Sequence, residues 1–493
     1  MDPNFFSVLN SNEFQMENEI QESIVSFLGH QFGAEKFSPR ITYLELEKLF
    51  APFKQQISAL GAKIISITGT NGKGETAYTL SSLVTGLGLK CATWTSPHIV
   101  YPSERLKMNS CDIGGQRFRQ LIQKTADILG PNFTQLSYYE FLFFCFAQYV
   151  ILERPEVLIL EVGLGGRLDA INLCDADCVL VTSLGRDHTE FLGPDYRSIL
   201  HEKIQLARQN GLVISNLSSQ YFNELLIGEQ QELKFKLWPL GLEIKGQSPA
   251  NGSDWPYYKA NRYLALAALQ WLIHCRDKGP GVGPFQSVSF DQLDLLYKKM
   301  ESSFLTYNSR REMVTYNGKG LIFIGAHNLE GMRVLGPLIK DELFQGSKQA
   351  RAINCFVSFS KRPDSEIRAM VKILLNQERV NGIYITGFNH PKAASLNQLQ
   401  KIFQDLIQHD VSETVKKRLI WVEDWRSFLK NEEPLKQTGI KDEGFGQKLS
   451  EENFSRENWL VAGSYYFIGE VKKFIGSSHS LGDPSAFDVG ARC

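Results

Sequence analysis

The 493-residue sequence predicts an α/β protein of two units, each built on a mostly parallel sheet, with a phosphate-binding loop in the first. Short β-branched runs alternate with amphipathic stretches along most of the chain, which is the pattern of βαβ units. The alternation comes in two series, separated by a Gly/Pro-rich break. The first strand of the first series also runs straight into a glycine–lysine loop that opens a helix, the arrangement that gathers backbone N–H groups around an anion.

The first series of expected strands is Lys63–Thr68, Lys90–Thr95, Val157–Val162, Cys178–Thr182 and Leu212–Ser215. The second is Leu321–Gly325, Ile353–Phe359, Gly382–Thr386, Arg418–Val422 and Trp459–Ala462. Between them, His274–Ser289 reads as a linker or long loop. The expected organisation is therefore an N-terminal extension over 1–38, a first unit over 39–300 and a second over 301–475. The charged, Gly-containing stretch 431–458 is read as a surface-loop insertion. The Ser/Gly/Asp-rich stretch 476–493 is read as a disordered tail, as are some of the first dozen residues.

Composition narrows the function. With 53 Lys and Arg against 54 Asp and Glu, the net charge is −1. That balance argues against a dedicated nucleic-acid binder and gives no electrostatic reason to sit on an anionic membrane. No run of about 20 apolar residues is present to span a bilayer, and Met1-Asp2-Pro3-Asn4 does not begin a secretory signal. The eight cysteines are scattered and form no CxxC pair, so free thiols in a reducing cytoplasm are expected.

The loop is Gly69-Thr70-Asn71-Gly72-Lys73-Gly74. Behind it Ala77, Leu80, Leu83, Val84 and Leu87 share one helical face. The glycines let the backbone turn its N–H groups toward one point, and Lys73 can reach the β- and γ-phosphates of a nucleotide. The full GxxxxGK[ST] pattern is not met, since Ile67 stands six before Lys73 and Gly74 follows it. An ordinary Gly-rich strand-to-helix turn would share these features. Glu75 in the first helical turn suits the helix dipole but would repel phosphate if turned inward.

Three further segments fall at strand ends, where open α/β sheets place their sites. Ser96, in Thr95-Ser96-Pro97-His98, offers a hydroxyl to Mg²⁺, though Pro97 alone explains a turn there. Glu161 opens the glycine-rich stretch Glu161–Asp169 and offers a carboxylate. Asp187-His188 follows the fourth strand, and Lys203 lies fifteen residues after His188. A lone histidine or lysine is more often a structural or solvent-facing residue.

Taken together these segments resemble the folylpolyglutamate synthase/dihydrofolate synthase family, a branch of the Mur ligase superfamily. The resemblance rests on GTNGKG (69–74), TSPH (95–98), SERLKMN (103–109), YYEF (138–141), LILEVGLGGRLDAIN (158–172), RDHTEFLG (186–193), Glu202-Lys203, Asn261, Arg310 with Glu312, GAHN (325–328) and GSYYFIGEV (463–471). It runs from about Pro39 to Phe474. EVGLGGRLDA is specific to this branch, whereas GTNGK marks only the wider superfamily.

The resemblance implies an N-terminal P-loop ATPase domain and a C-terminal Rossmann-like ligase domain. Gly69, Thr70, Asn71, Gly72, Lys73 and Gly74 would cradle ATP, with Asn261 and Arg310 also contacting the nucleotide. Ser96 and Glu161 would bind one Mg²⁺. His188 would help bind a second, with Lys203 as a carbamylated ligand. Lys73, His188 and Lys203 are thus the expected catalytic residues, while His327 and Ser464 would serve glutamate in the second domain. The implied reaction adds L-glutamate to dihydropteroate or a reduced folate through an acyl phosphate. The protein would be a cytoplasmic monomer whose partners are small molecules, with no nucleic acid or membrane.

The chain departs from the family pattern at Glu75, where a small residue, usually Ser, is found, and at Ile324, where the family has Asp. The alternative these departures raise is a degenerate member acting as a binding protein. A ligase for another carboxylate acceptor is the further alternative, because function lives in the site rather than the fold.

Overall fold

The computed structural model describes residues 11–32, 40–246, 257–278, 289–300, 310–317, 319–341, 353–410, 418–430 and 458–479. The chain divides into two compact units between Leu305 and Thr306.

In the first unit the elements run α1 (Ser11–Phe32), α2 (Tyr43–Ala59), β1 (Lys63–Thr68), α3 (Lys73–Gly86), β2 (Cys91–Trp94), β3 (Leu106–Met108), β4 (Cys111–Asp112), α4 (Gly115–Leu129) and α5 (Tyr138–Glu153). They continue with β5 (Val157–Glu161), β6 (Cys178–Val181), α6 (Thr189–Leu192), α7 (Tyr196–Ile204), β7 (Leu212–Ser215), α8 (Gln220–Leu233), β8 (Lys236–Trp238), α9 (Leu240–Gly246), α10 (Tyr257–Lys278) and α11 (Phe290–Met300). The sheet has eight strands in the order β4-β3-β2-β5-β1-β6-β7-β8. The run from β2 to β8 is parallel, and β3 and β4 add an antiparallel edge.

Side-chain alternation along β1 sends Ile64 to one face of this sheet and Ile65 and Ile67 to the other. The first face is covered by α1, α2, α4 and α5. The second is covered by α3 and α10, whose Ala265, Ala267 and Ala268 let the helix lie close to its neighbours. Helix α5 is the most apolar run of the sequence and is buried on nearly every side. Its start is set by a capping box, in which the Ser137 hydroxyl accepts from Glu140 N and the Glu140 carboxylate accepts from Ser137 N. Phe144 stands edge-on to both Phe50 and Phe53, with ring centroids 5.2 Å apart in each pair. Phe144→Ala is expected to cost about 3–5 kcal/mol of stability, read as a lowered midpoint in urea unfolding.

Helix α1 lies in the stretch expected to be an extension. It is instead part of this core, where Leu28 and Phe32 are buried and Glu17 accepts a hydrogen bond from Gly115 N at the start of α4. Strands β3, β4 and β8 have two or three residues each, too few to show a pattern in the sequence. The linker expected from His274 starts later, because α10 continues through Lys278. Residues 279–288 lie outside the described residues. Cys91, Cys145, Cys174, Cys178, Cys275 and Cys355 are free thiols.

The second unit contains β9 (Arg310–Tyr316), β10 (Lys319–Ile324), α12 (Leu329–Asp341), β11 (Ile353–Ser358), α13 (Asp364–Leu375), β12 (Val380–Thr386), α14 (Leu396–Asp405), β13 (Leu419–Val422), α15 (Trp425–Lys430), β14 (Asn458–Gly463) and α16 (Tyr465–His479). Its sheet has six strands in the order β13-β12-β11-β14-β10-β9, parallel except for β9. Helices α12, α13 and α14 pack on one face. An aromatic cluster of Phe356, Tyr384, Phe428, Trp459 and Phe467 lies under α15 and α16. The polar edge strand β9 was not foreseen, because Arg310, Arg311 and Glu312 interrupt any apolar run. Of the expected insertion 431–458 only Asn458 is described, as the first residue of β14. Helix α16 carries the chain to His479, beyond the expected start of the tail, and the rest lies outside the described residues.

Among the described residues no helix is long and apolar enough to cross a membrane.

Candidate active site

The site in the first unit forms at the carboxyl ends of β1, β2, β5 and β6, neighbours in the sheet. The loop after β1 is held by the segment after β6. Thr182 Oγ1 donates to Asn71 O (2.6 Å), Ser183 Oγ accepts from Asn71 N (2.9 Å), and Thr70 N donates to Ser183 O (3.0 Å). Thr70 Oγ1 bridges to Gly185, accepting from its N at 2.9 Å and lying 3.1 Å from its O. Only glycine fits at position 69: its φ is +138°, and a Cβ there would stand 2.0 Å from Thr182 Oγ1. Gly72, left-handed with φ +89°, is the N-cap of α3 and has no side chain to cap the first turn. The first-turn N–H groups of that helix are thus left without a side-chain cap.

Two lysines converge on this loop. Lys73 Nζ donates to Gly69 O and Thr70 O, each at 3.1 Å. Lys203 Nζ donates to the same Gly69 O at 3.1 Å. Lys203 is buried because the loop after β5 docks on the end of α7, where Arg167 N donates to Glu202 O at 2.8 Å. Burial, reinforced by the Lys73 charge and opposed by Asp187 and Asp169, lowers the Lys203 ammonium from 10.5 to about 7.

Glu161 ends β5, is buried, and its carboxylate accepts from Ser96 N at 2.9 Å. The Ser96–Pro97 peptide is cis. Ser96 and Glu161 are thus brought together, and both side chains carry oxygen, the donor that Mg²⁺ takes. Two oxygen-bearing side chains at one strand end suit the chemistry of that ion. His188 follows β6 in a left-handed conformation, with its ring half exposed and Nδ1 3.8 Å from Glu190. Among the described residues no group of three or more His, Cys, Asp and Glu side chains stands together as a metal cage.

A buried network stiffens the loop after β5. Asp169 accepts from Gly163 N, Leu164 N and Ile171 N, and from the Tyr139 hydroxyl at 2.9 Å. Burial raises the Asp169 carboxyl against the pull of these donors. Tyr139 also accepts from Trp94 Nε1 at 3.3 Å. Sequence reasoning assigned these residues no role, nor the hydroxyl pair Thr182-Ser183. The signal for that pair was its position directly after a strand of the site.

Asn261 lies on α10 and donates from Nδ2 to Glu75 Oε2 at 2.8 Å. The acid that departs from the family pattern is therefore turned toward α10. Arg310 belongs to the second unit, where β9 pairs with β10 opposite Ile324. At the carboxyl edge of that unit's sheet, the His327 ring lies 4.7 Å from that of Tyr465. Ser464 Oγ is 2.8 Å from Ser360 Oγ. His327 and Ser464 thus follow adjacent parallel strands, β10 and β14.

No family model matches the chain. It is 28% identical over 350 residues to the dihydrofolate synthase/folylpolyglutamate synthase of Buchnera aphidicola subsp. Schizaphis graminum, covering 68% of this chain and 76% of that protein. The structure of E. coli FolC in complex with DHPP and ADP is similar with a TM-score of 0.64 and 21% identity, over 93% of this chain and 98% of that one. A bifunctional folylpolyglutamate synthase/dihydrofolate synthase with Mn, AMPPNP and L-glutamate bound gives a TM-score of 0.63 and 21% identity, over 92% and 97%.

The fold is therefore that of these folylpolyglutamate synthase/dihydrofolate synthase structures, a glycine-loop unit followed by a second α/β unit. Within that fold the chain is similar in sequence to a dihydrofolate synthase/folylpolyglutamate synthase over about two thirds of its length.

Proposed function

We propose that the protein is an ATP-dependent carboxylate–amine ligase that adds L-glutamate to dihydropteroate or a reduced folate. The observation that carries this reading is the glycine loop that opens α3, with the Lys73 ammonium on Gly69 O and the buried Lys203 amine on the same carbonyl. The Lys73 charge stands there beside a helix start with no side-chain cap, which suits a transferring phosphoryl group.

A carboxylate is a poor acylating agent. Transfer of the ATP γ-phosphoryl group to it gives an acyl phosphate, which the glutamate amine attacks with release of phosphate. Gly69, Thr70, Asn71, Gly72 and Gly74 would position the triphosphate, and Lys73 would neutralise charge on the group in flight. Asn261 and Arg310 would contact the nucleotide. Ser96 and Glu161 would hold one Mg²⁺, which supplies charge neutralisation at the phosphates when bound. His188 and Lys203 would serve a second. His327 and Ser464 would act on glutamate. The units Met1–Leu305 and Thr306–Gly490 would be the ATPase and ligase domains, and the protein would work as a cytoplasmic monomer. An acceptor labelled with ¹⁸O in its carboxylate tests the chemistry. The released phosphate is expected to carry one labelled oxygen, and unlabelled phosphate would contradict the acyl phosphate.

Lys203 would be carbamylated. A neutral amine adds to CO₂, whereas an ammonium cannot, and an amine that titrates at about 7 is substantially neutral just above neutrality. The product is an anionic oxygen donor. Activity after removal of CO₂ is expected to fall and to return with bicarbonate, more completely as pH rises through 7. The unfolded lysine titrates near 10.5 and so binds more protons than the folded one between about 7 and 10.5. The lysine's unfavourable contribution to stability is therefore present below about 7 and is relieved as pH rises across that window.

A further inference from the structure

Glu75 dictates which end of the Asn261 amide faces it. A carboxylate only accepts hydrogen bonds, so Nδ2 must point toward it, as the 2.8 Å contact records. Oδ1 is then turned the other way. Asn261 is fully buried, and its Oδ1 has no hydrogen-bond partner. One residue after Glu75, the Thr76 hydroxyl is likewise buried without a partner. Buried acceptors are ordinarily satisfied, and this one stands open beside the first turn of α3. A serine at position 75 could donate or accept and would not set the amide's direction.

We propose that Glu75 is a positioning residue for nucleotide selection: it holds Asn261 so that Oδ1 receives a neutral N–H or O–H donor from the nucleoside part of the bound nucleotide. This rests on the nucleotide-binding reading above. The donor is either the exocyclic amino group of adenine or a ribose hydroxyl, and the two sources share one chemistry. Selectivity follows because a site that offers only an acceptor penalises an analogue that has lost the donor.

The test is calorimetric binding of ATP, inosine triphosphate, 2′-deoxy-ATP and 3′-deoxy-ATP to the full-length protein and to the Glu75→Ala and Glu75→Gln variants. The unaltered protein is expected to bind one class of analogue about tenfold more weakly than ATP, the effect of one unmade buried hydrogen bond. Weak inosine triphosphate identifies the amino group as the donor, and a weak deoxy analogue identifies the ribose. Both variants are expected to bind ATP while losing most of that discrimination. Glu75→Gln preserves the shape if Glu75→Ala fails to fold, and an amide pair can form in either orientation. Absence of discrimination in the unaltered protein, or full discrimination in a folded variant that binds ATP, would overturn the inference alone. Failure of the unaltered protein to bind any of the four nucleotides would overturn the ligase reading and this inference with it.

Discussion

Lys73→Ala is expected to lower ATP turnover by about a thousandfold while leaving the fold intact. The side chain is an ammonium whose hydrogen bonds go to the backbone of its own loop, at Gly69 and Thr70. Those bonds hold Nζ over the turn and close to where the phosphates would lie. Preorganised charge of this kind is worth roughly 10²–10³ in rate when removed, and the higher figure is expected because the phosphoryl group carries more charge than a carbonyl oxyanion. Loss of Lys73 also relieves a like charge beside Lys203, so the Lys203 ammonium should titrate higher in the variant. Steady-state ADP release in the presence of acceptor and glutamate measures the rate. A variant retaining more than about a tenth of the activity would remove Lys73 from the catalytic centre.

Glu161→Gln is expected to cost about a hundredfold or more in turnover, with metal affinity falling in parallel. The amide has the shape of the acid, and its carbonyl can still accept from Ser96 N, which the carboxylate accepts now at 2.9 Å. What it loses is the negative charge offered to a divalent cation. Titration of Mn²⁺ in the presence of a non-hydrolysable ATP analogue, followed by electron paramagnetic resonance, separates this loss from an effect on folding. Equal Mn²⁺ affinity in the two proteins would mean that Glu161 is a structural acid that only caps the Thr95–Pro97 turn.

The parts of this site that were legible in the sequence are those in which chain neighbours do the work. Strand β1 is an apolar, β-branched run ending at a glycine loop, and its bounds were read correctly as Lys63–Thr68. Ser96 and Glu161 could be placed at strand ends because Lys90–Thr95 and Val157–Val162 already read as strands. What stayed hidden depends on distant pairings. Nothing about Glu202-Lys203 on an amphipathic helix announces a buried lysine; the burial arises when the loop after β5 lands on the end of α7. Glu75 looked hostile to phosphate because its partner, Asn261, lies 186 residues away. Helix α1 reads as an extension because apolar residues such as Ile24, Leu28 and Phe32 are buried only once α4 and α5 are in place to receive them.

The proposed reaction forms an amide between a pterin-bearing carboxylate and glutamate at the expense of ATP. Incubating the protein with ATP, Mg²⁺ and L-glutamate, separately with 7,8-dihydropteroate and with tetrahydrofolate, tests it directly by mass spectrometry. The expected result is one added glutamyl unit on at least one acceptor, with one ADP released per bond formed. A folded protein that binds ATP yet yields neither glutamylated product nor ADP with either acceptor would contradict the account and favour a binding protein on a ligase fold.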